Sequence, residues 1–510
     1  MRIGTQNFYD RSLFSLQTRQ SNLDRAQEEL STGKKILRPS DDPVASNTII
    51  KLKSEISVSD RYVNAQGTAS RFNEVEESNL SSMNVIMLRV QELLVQAGNG
   101  SLDSVSLNAI GIELDKRADE LFALSNSKNS NGDYLYSGFQ TNTIPYKEDK
   151  FGYAQYQGDS GQREVLVAAS YKVEVNDPGN SFIDNVSSPY GHFLNTAGGG
   201  NTGTLDLSVG LVSDSTEFTQ PTAPASAYQV VFSGTAPAPA TSYHVIDVQT
   251  GITVTPSRNF TPGDDIQVQG ISIKTDASTR AEVNDTFSIT AAPGNTEKSL
   301  HWVLKQAIET MKVTGNNYTA MPNPTSTVGI SGGNIIKPDE HTLADFDIIL
   351  TPGAPDTVQV NEVDRSTIPV TVLSTPVPAQ TYNPTGTKLE FNGIELDLAG
   401  PAPAAADTIR LDRPESSRRG QLLGDLQQDL KNAFTNVDNI RSQVGARLNT
   451  IDNEANAQFK FKEVSVTALA NLEEVDIYAA MQTFQSSMTG LQASQQAFAK
   501  VQELSLFNFI

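Results

Sequence analysis

Residues 30–46 read LSTGKKILRPSDDPVAS. One helix ends in this stretch and another begins. Before it, Tyr9, Leu13, Leu16, Leu23 and Leu30 follow a seven-residue repeat, with Gln20 and Gln27 between them. That spacing predicts a first helix over about 8–30. Gly33 ends it, and Lys34 and Lys35 stand where positive charge meets the negative end of the helix dipole. Ser40 or Asp41 can cap the next helix, with Pro43 in its first turn, where the missing N–H costs nothing.

Outward from this point the helical period continues. Ile49, Leu52, Ile56, Val63, Phe72, Val75, Met83, Ile86, Val90, Leu93 and Leu94 are mostly three, four or seven apart, and Gly98-Asn99-Gly100 stops the run. A third helix carries Leu107, Ile110, Leu114, Leu121 and Leu124 and is expected to run into Asn131-Gly132. At the far end Leu422, Leu423, Leu426, Leu430, Val437, Ile440, Val444, Leu448 and Ile451 form one stripe. Ile477, Met481, Phe484, Met488, Leu491 and Phe498 form another, with Gln495 in its apolar row. The phase then slips by one place to Val501 and Leu504, and the chain closes LSLFNFI, which holds Phe507 and Phe509.

Between the helical ends, 186–411 is rich in Gly, Pro, Ser and Thr with short alternating apolar runs, a strand-and-turn composition. The stretch 140–185 is transitional: QREVLVAAS and YKVEVN read as strands, with a turn at Asp177-Pro178-Gly179. The middle holds an internal repeat. FTPGDDIQVQGISIK (260–274) parallels YNPTGTKLEFNGIELDL (382–398). Each reads aromatic, turn, strand, Gly, strand, and each is followed by an Asp-Thr strand, at Asp285-Thr286 and Asp407-Thr408, and then a helix. The expected fold class is therefore α+β multidomain, with long N- and C-terminal helices forming a coiled-coil or helical-bundle rod and two tandem mainly-β modules inserted in the middle. The expected divisions are 1–40 and 465–510 as terminal assembly helices, 41–185 and 412–464 as the rod with a small hairpin region, 186–320 as the first outer module and 321–411 as the second.

The composition narrows the function. In 510 residues, 38 basic residues face 59 acidic ones, a net charge of −21, so no basic face is available to track nucleic-acid phosphates. No apolar run approaches the ~18 residues of a spanning helix, so membrane insertion is not expected. The start, MRIGTQNFYD, lacks the apolar core and small-residue cleavage site of a secretory signal. With no cysteine there are no disulfides and no cysteine-ligated metal. His192, His244, His301 and His341 lie far apart with no metal-binding spacing. The run Gly198–Gly203 lacks the lysine of a phosphate loop, and Asp41-Asp42 and Asp264-Asp265 read as a cap and a turn. No catalytic residue, metal ligand or cofactor site can be nominated, and the chain does not read as an enzyme.

The terminal stripes carry the functional signal. A helix of ~20 residues is only ~30 Å long and marginal alone in water. Neither stripe can bury its seam alone, so each is expected to pack on the other or on neighbouring subunits, to be disordered in the monomer and to order on assembly. Glutamines within the seam are expected to be buried there and to fix its register. The candidate assembly interface is Leu13, Leu16, Leu23, Leu30, Ile477, Met481, Phe484, Met488, Leu491, Phe498, Leu504, Phe507 and Phe509.

At these residues the chain resembles the flagellin superfamily. LSTGKKILRPSDDPVAS (30–46), VGARLNTID (444–452) and the stretch 472–510 are similar to its helical ends. Within it, NSNGDYLYSGFQTNTIPY (129–146) and YQGDSGQREVLVAASYKVEVNDPG (156–179) resemble the hook–filament junction family. The likeness covers about the first 185 and last 95 residues; the middle resembles only the superfamily's variable outer domains. It implies a structural subunit of the extracellular bacterial flagellum, exported unfolded by the flagellar type III apparatus without signal cleavage. It further implies a ring of copies between hook-associated protein 1 and flagellin, with an export chaperone at the C-terminal helix. The alternatives are flagellin itself, and a secreted adhesin or enzyme built on the middle domains.

Overall fold

The computed structural model describes residues 2–507 apart from 100–101, 219–227, 236–237, 293–295, 313–316, 322–325, 338–339, 354, 366, 368 and 404. Helices α1 (Arg2–Thr32), α2 (Pro43–Ala97) and α3 (Ser104–Ser125) come first. Two small two-stranded sheets follow, β1 (Tyr146–Glu148) with β2 (Ala154–Tyr156), and β3 (Glu164–Ala168) with β4 (Tyr171–Glu174). Then come β5 (Val186–Ser187), β6 (Phe193–Ala197), β7 (Leu211–Val212), β8 (Tyr228–Ser233), β9 (Ser242–Asp247), β10 (Thr253–Asn259), β11 (Ile266–Val268), β12 (Ile271–Ile273) and β13 (Thr286–Ala291). The strand β14 (Glu297–Lys298), paired with β5, leads into helix α4 (Leu300–Lys312). A second set follows: β15 (Thr319–Met321), β16 (Gly329–Ile335), β17 (Asp345–Thr351), β18 (Thr357–Asp364), β19 (Thr371–Thr381), β20 (Thr387–Phe391), β21 (Ile394–Ala399) and β22 (Asp407–Asp412). Helices α5 (Glu415–Glu473) and α6 (Ile477–Phe507) close the chain. The chain divides into two compact units, Met1–Arg71 with Glu164–Val173 and Arg447–Ile510, and Phe72–Arg163 with Glu174–Ala446.

The helix boundaries differ from the sequence reading where side chains compete for backbone. α2 is capped by Asp42, whose Oδ1 accepts from the Val44 and Ala45 N–H groups at 3.1 and 2.9 Å. With Pro43 as the first helical residue, the cap is the residue just before it, not Ser40 or Asp41. Asp41 turns back instead, accepting from Leu37 and Arg38 N–H at 3.3 and 3.0 Å. α3 stops at Ser125, short of Asn131, because the Asn126 amide clips both the N–H and C=O of Tyr146, at 2.8 and 3.0 Å.

The repeat in the middle is a repeat of topology. The first module has a five-stranded sheet, β10-β9-β8-β13-β6, and a three-stranded sheet, β11-β12-β7. The second has β19-β18-β17-β22-β15 and β20-β21-β16. Strand for strand in chain order, β6 to β13 correspond to β15 to β22, and each set is followed by a helix. The shared hairpin turns alike in both. Gln269 and Gly270 have φ of 44° and 77°, and Asn392 and Gly393 have 47° and 69°. Two successive positive φ values make the tight turn that matches strand twist, and they select Gly at its second place. Each module closes its own core, one from Phe193 to Ile289 and the other from Tyr318 to Leu411. At one edge of each five-stranded sheet sits proline, Pro256 in β10 and Pro376 and Pro378 in β19. Proline offers no N–H for an intruding strand. The glycine run at 198–203 has a structural use: Asp285 accepts from the Thr202 and Gly203 N–H groups at 2.8 and 3.0 Å.

Inside the second unit α3 packs on α4, and Leu80, Met83, Met87, Leu114, Leu121, Leu426 and Leu430 are fully buried. His301, on α4, lies against the rings of Phe122 and Tyr146, with centroids 5.7 and 4.8 Å away. Burial pushes its pKa down to about 3.

Two predictions follow from this packing. A Cβ at Gly393 would sit 2.3 Å from the Lys337 carbonyl oxygen, at positive φ. Gly393→Ala is expected to lower stability by about 1–3 kcal/mol in denaturant unfolding. For His301, the unfolded chain takes up a proton below its ordinary value of ~6.5 while the folded chain does not, so stability falls as pH drops through that window. His301→Phe should flatten this limb by on the order of 2 kcal/mol between pH 6.5 and 5, measured as the difference between parent and variant unfolding curves.

Candidate assembly interface

The first unit brings the chain's two ends together. α1 packs against α6. The contact runs along small residues and one leucine: Ala26, Ala480 and Leu491 are buried, and Gly490 lies where a Cβ would come within 2.6 Å of the Arg19 guanidinium.

A backbone clasp sets the register. Gly33, at φ of 68°, ends α1 and turns the chain. Lys35 N–H then donates to the Glu473 carbonyl at 2.8 Å, and Val475 N–H donates to the Gly33 carbonyl at 3.0 Å. The Glu473 carboxylate pairs with Lys34 at 2.7 Å and Lys53 at 2.9 Å. The Lys34 hydrogen bond, then the one from Lys53, holds that carboxyl below its usual range. Asp476 caps α6, accepting from Tyr478 and Ala479 N–H at 2.9 and 3.2 Å. Farther along, Lys462 pairs with Asp60 at 2.6 Å, and the Gln66 amide donates to the Val167 carbonyl at 2.7 Å, tying the β3–β4 pair to α2.

The sequence-derived interface residues divide in three. Leu491 is buried, and Leu16, Leu23, Leu30, Phe484 and Phe498 are half-buried. Leu13, Ile477, Met481 and Met488 are exposed, Ile477 at 62%. The side chains of Leu504 and Phe507, and all of Phe509, lie outside the described residues. Gln20, Gln27 and Gln495 are exposed, contrary to the expectation that they are buried and fix the register. The Gln20 amide instead donates along its own helix to Asp24, at 3.1 Å.

Sequence reasoning missed other large apolar side chains. Phe14, Phe459, Phe461, Val464 and Tyr478 are exposed, Tyr478 at 90%. The signal was there in FKFKEV, where two phenylalanines alternate with lysines just after the α5 stripe lapses. That unit therefore carries uncovered aromatic surface. The four histidines form no constellation: His192 Nδ1 meets the Glu297 carbonyl, His341 Nδ1 the Asn392 carbonyl, His301 two rings, and His244 lies on β9.

Comparison with known proteins bears on both ends. Residues 3–141 match the bacterial flagellin N-terminal helical region, and residues 428–510 match the bacterial flagellin C-terminal helical region. Both ends of the chain are thus similar to the helical ends of bacterial flagellin. The chain is 29% identical over 188 residues to the flagellar hook-associated protein 3 of Escherichia coli strain K12, covering 37% of this chain and 58% of that one. It is 32% identical over 153 residues to the protein of that name in Salmonella typhimurium strain LT2, covering 30% and 48%. The chain thus spans about half the length of the curated relatives it matches. A crystal structure of hook-associated protein 3 from Legionella pneumophila aligns over 83% of this chain and 98% of that one at 19% identity, with a TM-score of 0.42.

Leu491→Asp would place a carboxylate in the α1–α6 seam. Limited proteolysis of the variant should cut within 2–32 and 477–507 several times faster than in the parent, with the β modules unaffected.

Proposed function

We propose that the chain is a structural subunit of the bacterial flagellum, an adaptor ring at the hook–filament junction on which the filament assembles. The observation that carries this reading is the pair of flagellin-type helical ends whose apolar side chains, from Leu13 to Tyr478, stay uncovered in the single chain. The kinship to hook-associated protein 3 supports the junction over the filament. In this reading the segments 1–40 and 465–510 order fully only among neighbouring subunits, 41–185 and 412–464 form the wall around them, and 186–320 and 321–411 are the outer modules. The partners are further copies of the chain, hook-associated protein 1 on one side and flagellin on the other. An export chaperone would take the C-terminal helix before secretion, since an amphipathic helix with an uncovered face suits capture by a groove. The role is architectural, not catalytic, and no described helix is long and apolar enough to cross a membrane.

A second reading, flagellin itself, draws on the family regions matched at both ends. Deletion of the gene separates the two. Intact hooks without filaments, with flagellin shed into the medium, are expected for a junction subunit. If instead the purified protein polymerises alone into long filaments, it is a filament subunit.

A further inference from the structure

The two outer modules keep separate cores, and no residue belongs to both apolar clusters. Where the modules meet, the buried side chains are charged. The first module supplies Asp214 and Glu217, from the loop after β7, and Arg258 from β10. The second supplies Asp345 at the start of β17, Arg410 and Asp412 on β22, and Arg413 just beyond it. The Arg410 guanidinium donates both to Asp412 on its own strand and to Glu217 of the other module. Arg413 does the same, donating to Asp345 at 3.2 Å and across to Thr216, with Asp214 at 3.6 Å. Asp214, Glu217, Asp345, Arg410 and Asp412 are all buried. Arg258 stands near enough for Arg410 to add to the burial that lowers its pKa.

Three of these carboxylates, Glu217, Asp345 and Asp412, approach within 4.8 Å of one another, the spacing of a cation site. Each of them already accepts from a guanidinium, whose charge would repel a dication, so the cluster is an ion network. With all groups ionised, four carboxylates face three guanidiniums. Burial, then the charge of Glu217, raises the Asp345 carboxyl to about 6. Counted from the shared Asp-Thr, the first module has Ser288 and Thr290 where the second has Arg410 and Asp412. The charges thus appear in the copy whose strand faces the other module.

We propose that this buried ion network, rather than apolar contact, locks the two β modules into one body, with Arg410 as the bridging residue. Removing one partner of a buried network leaves an uncompensated charge, a strong drive to open the joint to water. The absence of cysteine makes the test direct. Val248 and Leu343 are exposed, one on each module; both are changed to cysteine in the full chain and spin-labelled, and the label distance is read by pulsed electron resonance. A single narrow distance is expected in the parent, and a distribution several-fold broader in Arg410→Met with amide exchange in β8 and β17 unchanged. A broad parent distribution, or a narrow one kept in Arg410→Met, overturns the proposal. Should Arg410→Met fail to fold, Glu217→Leu decides. It spares the Arg410–Asp412 pair within the second module, so broadening supports the lock and an unchanged width refutes it.

Discussion

Two backbone hydrogen bonds, between Lys35 and Glu473 and between Val475 and Gly33, hold the ends of the chain side by side. The rest of the first unit is arranged around them. They close a loop of more than four hundred residues, yet the entropy of closure grows only with the logarithm of length. What the clasp requires is local: a left-handed Gly33 to turn the chain, and helix ends that stop in register. Glu473 adds charge to this geometry, its carboxylate gathering Lys34 and Lys53 at the point where α5 ends. From there α1 and α6 run together, with Ala26, Ala480 and Leu491 buried and Leu16, Leu23, Leu30, Phe484 and Phe498 half-buried.

The thinness of that seam has a consequence for what the unit can do alone. Alanine and glycine permit close approach but bury little apolar area, at ~25 cal/mol per Å². The bulky side chains that could add area, among them Met481, Met488, Phe459 and Tyr478, face outward. In the proposed reading, these are the side chains that neighbouring subunits would cover. The β modules follow the opposite rule. Each encloses its own core and carries proline on one edge strand of its five-stranded sheet. Their joint is then left to charge.

Much of the fold was legible in the sequence because it depends on local rules. The heptad of leucines from Leu16 to Leu30, the stop at Gly33 and the long stripe from Leu422 to Ile451 record helix period and helix ends. The repeated hairpin was legible because only a few residue types tolerate two successive positive φ values, so Gly270 and Gly393 recur at the same place. The α2 cap was misplaced by one or two residues because Ser40, Asp41 and Asp42 are all competent caps, and only the position of Pro43 within the helix selects among them. Periodicity places Gln20, Gln27 and Gln495 along the terminal stripes, but it cannot say which residues of a stripe the facing helix covers.

The sequence by itself determined the helical ends, the tandem β modules and the turns that build them, because period and dihedral preference act between near neighbours. Only the tertiary structure decided that Glu473 receives Lys34 and Lys53, that Phe459 and Tyr478 remain in solvent, and that Arg410 meets Glu217 across a module boundary. Those pairings join residues up to more than four hundred positions apart, and no spacing rule along the chain says which charged or aromatic side chains will meet once the elements have packed.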